Sequence, residues 1–258
     1  MKKLMIAMAA LAAGVAFAEE TANAVESSIV GYTTIEGITA NQYVALGTVF
    51  ENVDGSDVAI KDLVLVGAPK GGANATGADQ IWVWDTATSG WTKYFYFSSR
   101  GTTQWRKVGT TIETTDTLAT GKTFFFCRAG SASGTTTLTL SGKVKALDGE
   151  SSFTVSANQL AFACNPWPIA MNIKDISSYY TSGAPKGGAN ATGADQIWLW
   201  DTATNGWNKY FYYSSRGTTQ WRKVGATTET ADTIPAGIGF FFQRASTAAE
   251  TATITFTK

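Results

Sequence analysis

Alternation between apolar and polar positions is plainest from Gln80 to Phe97. Gln80 to Trp84 alternates, Asp85 to Gly90 carries turn residues, and Trp91 to Phe97 alternates back, which predicts a β-hairpin. Successive side chains in a strand point to opposite faces. Trp82, Trp84, Trp91, Phe95 and Phe97 therefore share one face, and Ile81, Val83, Tyr94 and Tyr96 the other. Both faces are apolar or aromatic. Further strands are predicted over Ile29–Ile35, Gln42–Leu46, Phe124–Phe126 and Thr135–Leu140, rich in β-branched and aromatic residues and bounded by glycine or asparagine. Nothing in the front part of the first module, from Ile29 on, carries the i, i+3, i+4 rhythm of a helix over a useful length. Gly67 to Ala78, Ser98 to Thr103 and Glu51 to Asp57 read as loops, the last with Asp54-Gly55 as its tight corner.

The hairpin belongs to a segment that occurs twice. Gly67 to Gly109 returns as Gly183 to Gly225, the 43 residues differing only at Val83/Leu199, Ser89/Asn205, Thr92/Asn208 and Phe97/Tyr213. Extended to Gly130 and Ser246, 14 of 64 positions differ, whereas the front parts align only through short matches such as Asn41-Gln42 with Asn158-Gln159. A period of 116 residues is the size of a domain. The expected organisation is a signal peptide at 1–18, a short disordered lead-in at 19–28, a first β-module at 29–141 and its internal duplicate at 142–258. The expected fold class is all-β, as two tandem, similar β-sandwich or partly open barrel modules.

Composition adds the address. Lys2 and Lys3, the apolar run Leu4–Val15 and Ala16-Phe17-Ala18 have the order of an export signal, and no cysteine follows to carry a lipid. No later stretch is long and apolar enough for a membrane span, so no transmembrane segment is expected once the signal is removed. The product is expected outside the cytoplasm: extracellular, at the cell surface or in the periplasm. Twenty basic and twenty acidic residues cancel, which argues against nucleic acid as a partner.

The chain has no histidine, which removes Ser/His/Asp and Cys/His catalysis and histidine-ligated zinc. Paired carboxylates remain: Asp79/Asp85 with Asp195/Asp201, and Glu113/Asp116 with Glu229/Asp232. These residues sit at turns or in threonine-rich polar chain, where acids ordinarily cap turns or face water. No catalytic residue, metal ligand or cofactor is assigned, and no enzyme activity is expected. Asp201 to Gly206 lacks the oxygen ligands of a calcium loop, and Gly67-Ala-Pro-Lys-Gly-Gly72 lacks the order of a phosphate loop. Cys127 and Cys164 fall in different modules and at non-equivalent repeat positions. In an exported chain they are disulfide candidates, within or between chains, or else two buried thiols.

The aromatic hairpins carry the functional hint. Trp82, Trp84, Trp91, Tyr94, Arg100 and Trp105, with Trp198, Trp200, Trp207, Tyr210, Arg216 and Trp221, form a candidate binding or assembly surface, the alternative being ordinary core packing. The run of signal peptide, Ile-Val-Gly-Tyr strand, Asp-Gln-Ile-Trp-x-Trp-Asp hairpin, Tyr-Phe-Tyr and closing Phe-Phe-Phe resembles uncharacterised exported tandem β-module proteins of bacteria. That resemblance implies a surface protein and no particular activity. Two functions are expected. The first is a non-catalytic secreted or cell-surface structural or adhesive protein, forming a homo-oligomer or fibre through strand edges or aromatic faces. The other is a glycan-binding protein with two equivalent aromatic sites for a polysaccharide.

Overall fold

In a computed structural model, residues 30–52, 54–67, 69–144 and 151–256 are described. The expected signal peptide and lead-in lie outside them. Over the described residues the protein is all-β, built from antiparallel sheets with no closed barrel.

The first module holds eleven strands: β1 (Val30–Ile38), β2 (Tyr43–Gly47), β3 (Phe50–Glu51), β4 (Val58–Ala59), β5 (Val64–Gly67), β6 (Gln80–Asp85), β7 (Gly90–Ser99), β8 (Thr102–Lys107), β9 (Thr117–Leu118), β10 (Thr123–Cys127) and β11 (Thr136–Val144). Five make one sheet in the order β2-β10-β6-β7-β8, and β1-β11-β3, with β5 also on β11, makes the facing sheet. Leu138 and Leu140 from the second sheet meet Val44, Leu46, Ile81, Tyr94, Trp105, Phe124 and Phe126 from the first in one buried cluster. The cluster follows from register: Phe124 lies opposite Leu46 and Val83, Phe126 opposite Val44 and Ile81, and Tyr96 opposite Trp105, so these residues share one face.

The second module repeats the plan with β12 (Ser151–Val155), β13 (Leu160–Cys164), β14 (Met171–Asn172), β15 (Tyr180–Ser182), β16 (Gln196–Asp201), β17 (Gly206–Ser215), β18 (Thr218–Lys223), β19 (Thr233–Ile234), β20 (Gly239–Gln243) and β21 (Ala252–Phe256). Its sheets are β13-β20-β16-β17-β18 and β12-β21-β15, with their own core around Ile197, Trp221, Phe240, Phe242 and Ile254.

Two boundaries differ from the expectation. Strand β11 runs on to Val144, pairing Gly142 with Gly31 and Lys143 with Glu51, so the first module extends past 141. The segment read as a loop from Ser98 to Thr103 is instead the tight corner of a second hairpin, in which Ser99 pairs with Thr102 across Arg100 and Gly101. Both central residues have positive φ, 52° and 80°, as a type I′ turn requires. Arginine is not a residue that turn chemistry favours there, so the corner was hidden.

Candidate functional site

The outer face of each five-stranded sheet is the one that alternation loads with tryptophan, and it does not look outward. Ala45, Phe125, Cys127 and Phe241 form a third buried cluster, against which Tyr43, Trp82, Trp84, Trp91, Leu160, Phe162, Trp198, Trp200 and Trp207 pack from both modules. Rings interleave across this seam: Phe162 stacks on Phe241 at 4.4 Å and on Phe125 at 5.2 Å, and Trp84 meets Phe241 edge-on at 5.2 Å. Edge-to-face and offset contacts of this kind add about 0.5–1.5 kcal/mol each beyond area burial.

The seam has approximate twofold symmetry. Trp84 Nε1 donates to the Leu160 carbonyl at 2.9 Å, and Trp200 Nε1 donates to the Tyr43 carbonyl at 2.8 Å. Tyr43 and Leu160 occupy equivalent places, opposite Cys127 and Gln243 in their own sheets. One backbone ladder rung crosses as well, Leu46 bridging Ile238 and the Gly47 amide donating to the Gly237 carbonyl at 2.9 Å. At the rim, Lys93 lies 3.9 Å over the Trp82 ring and Lys209 lies 3.8 Å over Trp198.

These positions correct the expected surface. Trp82, Trp84, Trp91, Trp198, Trp200 and Trp207 face the other module rather than a ligand. Trp105, Trp221, Tyr94 and Tyr210 belong to the opposite face and lie inside the module cores. Of the residues proposed for the surface only Arg100 and Arg216 are exposed, at the hairpin corners. Tyr43, Phe125, Phe162 and Phe241 were missed. Their signal was present in the two apolar faces of the hairpin, which demand a cover on each side.

The carboxylates divide by environment. Asp79 is fully buried: Oδ2 accepts from Arg128 Nη1 at 2.5 Å and the Lys70 amide at 2.8 Å, and Oδ1 from the Ala129 amide at 2.9 Å. Asp195 repeats the arrangement with Arg244 Nη1 at 2.6 Å and the Lys186 and Ala245 amides, and adds Tyr180 Oη at 2.8 Å. The acid thus pins the Gly67–Ala78 type of loop to the strand that ends each Phe-Phe-Phe run. Asp85 caps its own turn through the Ala87 amide and Thr88 Oγ1, which lowers its pKa, and Asp201 does the same with Ala203 and Thr204. Asp116 accepts from Tyr94 Oη at 2.6 Å and Asp232 from Tyr210 Oη at 2.7 Å. Burial, with that carboxylate, raises both phenol pKa values.

Cys127 and Cys164 are buried, unbonded thiols, and burial raises both pKa values, that of Cys164 to about 12. Cys164 contacts Gly47, which pairs with Thr123, whereas Cys127 pairs with Tyr43 at the far end of the same two strands. Four residues of strand separate Thr123 from Cys127, roughly 13 Å. A disulfide needs Cα atoms within about 7 Å.

An open groove of about 630 Å³ in the second module is lined among others by Trp200, Asp201, Asn208, Tyr210, Lys223 and Asp232. Among the described residues no group of three or more Cys, Asp or Glu is gathered as for a metal ion. No helix of the described residues is long and apolar enough to cross a membrane.

Comparisons with protein-family models, with curated proteins and with solved structures give no match for this chain.

Proposed function

We propose that the chain is an exported, non-catalytic structural or adhesive protein that assembles with copies of itself through the edges of one sheet. The observation that carries this is β1, a nine-residue strand with β11 on one side and, among the described residues, no strand on the other. Its stretch from Val30 to Ile35 contains no charge and no proline, two of the devices by which edges are blunted; Glu36 and a register shift lie beyond it, between Ile35 and Ile38. The same sheet exposes Tyr32 at 52%, and Val64 and Val66 on β5 at 49% and 55%. Between them Thr139 pairs with Thr34 on one side and Val64 on the other, so apolar side chains flank a threonine ladder on the open face. The corresponding strand of the second module, β12, has five residues.

Of the carboxylates that suggested catalysis, the six aspartates are occupied as buried ion pairs, turn caps and partners of tyrosine hydroxyls, and Glu113 and Glu229 are exposed, which supports the non-catalytic reading. Glycan binding through the six seam indoles is set aside because those rings pack on each other.

Light scattering and negative-stain microscopy of the mature chain test the proposal. Concentration-dependent large species are expected, and Tyr32→Lys with Val66→Lys should return the protein to monomer while leaving its melting temperature within a few degrees. A wild-type chain that stays monomeric at all concentrations excludes it.

A further inference from the structure

The six arginines fall into three equivalent pairs. Arg128 and Arg244 are buried against Asp79 and Asp195. The other four lie on the β7–β8 and β17–β18 hairpins, and among the described residues none of them pairs with a carboxylate.

Arg106 is held before any ligand arrives. Its guanidinium carbon lies over the Phe97 ring, 3.4 Å from the centroid, and Gln104, with its amide oxygen turned toward the arginine, accepts from Nε at 2.5 Å and Nη2 at 2.8 Å. Arg222 does the same on Tyr213, with Gln220 accepting at 2.6 and 2.8 Å. The Nε side of each fork is thus used, and the Nη1–Nη2 edge is left with the geometry that takes a carboxylate or sulfate in two parallel hydrogen bonds.

Arg100 and Arg216 supply a second, independent observation. Each sits at φ 52° in the first central place of its turn, where asparagine or glycine fits without strain. Both are exposed, and both copies keep arginine there. Ser98–Gly109 and Ser214–Gly225 are identical over twelve residues and contain no acid, although the exposed chain that follows immediately differs at positions 110, 112 and 115.

We propose that each of these hairpins is a binding site for an oxyanion-bearing polysaccharide. One carboxylate or sulfate seats on the pre-oriented fork of Arg106 or Arg222, and another, further along the same polymer, on Arg100 or Arg216. From Thr102 to Arg106 the strand covers roughly 13 Å, so one polymer with repeated charges reaches both. Thr102, exposed and on the same side of the strand as Arg106, offers a hydroxyl beside the charges, as Thr218 does beside Arg222. Two equivalent hairpins on one chain add avidity. Nucleic acid is disfavoured because the chain has no broad basic field and the ring under each fork is already covered.

The test uses the full mature chain in affinity electrophoresis and titration calorimetry with polygalacturonate, dextran sulfate, neutral dextran and a short DNA duplex. Binding to one or both acidic polysaccharides is expected, weakening with salt, with none to dextran. Arg106→Lys with Arg222→Lys keeps the charge and loses the fork, and is expected to cost at least tenfold in affinity. Arg100→Asn with Arg216→Asn relieves the turn, so its expected loss of binding comes with a raised melting temperature and cannot be ascribed to unfolding. The proposal is overturned if neither acidic polymer binds, if dextran binds equally, if DNA binds more tightly, or if the Arg100/Arg216 variant binds as the wild type does.

Discussion

Cys164 occupies the space that a side chain on Gly47 would need: a Cβ built on Gly47 would collide with the Cβ and Sγ of Cys164. The two residues hold the same position in the two repeats, each opposite the first residue of the Phe-Phe-Phe strand. Thr123 and Gly239, those first residues, stand in the same relation, a Cβ on Gly239 colliding with the Thr123 methyl. Positions that meet their own counterparts lie at a twofold axis. Here each pair has become one side chain and one glycine, so the halves interlock in a single way.

Gly47→Ala should therefore destabilise the protein by about 1–3 kcal/mol, as overpacking does. Gly47→Cys combined with Cys164→Gly exchanges the pair across the axis and should recover most of that loss. Urea unfolding of the single and double variants measures the non-additivity. Additive losses would show that the two sites do not share the space.

Asp79→Asn tests the buried ion pair. It leaves the Arg128 charge buried without its carboxylate, and a loss of about 3–5 kcal/mol is expected. Asp195→Asn should cost at least as much, since its carboxylate also accepts from Tyr180 and one of its two oxygens becomes a donor. Thermal melts followed by circular dichroism read both. A variant that melts like the wild type would remove the structural role given to these acids.

Alkaline pH tests the tyrosines. Tyr94 and Tyr210 have pKa values raised in the folded state by burial and by their carboxylate partners. The stability they contribute is fully present below the unfolded tyrosine pKa of about 10 and is lost as pH rises toward the folded value. Absorbance of tyrosinate near 295 nm should show these two titrating only with unfolding, and Tyr94→Phe with Tyr210→Phe should flatten the stability profile above about pH 10. At the acid end the sign reverses. The Tyr94 hydrogen bond, then Lys107, lower the Asp116 pKa, and that contribution is lost as pH falls below about 4.

The thiols give a direct chemical check. Burial raises the pKa of both, so a thiol reagent at pH 8 should leave them untouched in the native protein and modify two per chain in denaturant. Intact mass without reductant should show both sulfurs in the thiol form. A mass two hydrogens lower, or a dimer that reductant dissolves, would contradict the structure.

Much of this fold can be read along the chain because its signals are local. The β6–β7 hairpin follows from alternation around Asp85 to Gly90, the duplication from direct alignment, and the placing of the cysteines in different modules from that alignment. The β7–β8 corner could not be read, because Arg100 adopts a left-handed conformation that its residue type disfavours. The use of Asp79 could not be read either, since its partner Arg128 is 49 residues away.

By itself the sequence determined that two strand-rich modules exist, that each hairpin has two apolar faces, and that histidine chemistry is absent. Only tertiary structure decided what covers the tryptophan face. A period of two says which side chains share a side of a sheet, and burial demands that an apolar side be covered, but neither says by what. The second module supplied the cover, because side chains on one sheet match glycines on the other and each Trp84-type indole finds a carbonyl across the axis. That complementarity lies between residues more than seventy positions apart, and no local pattern encodes it.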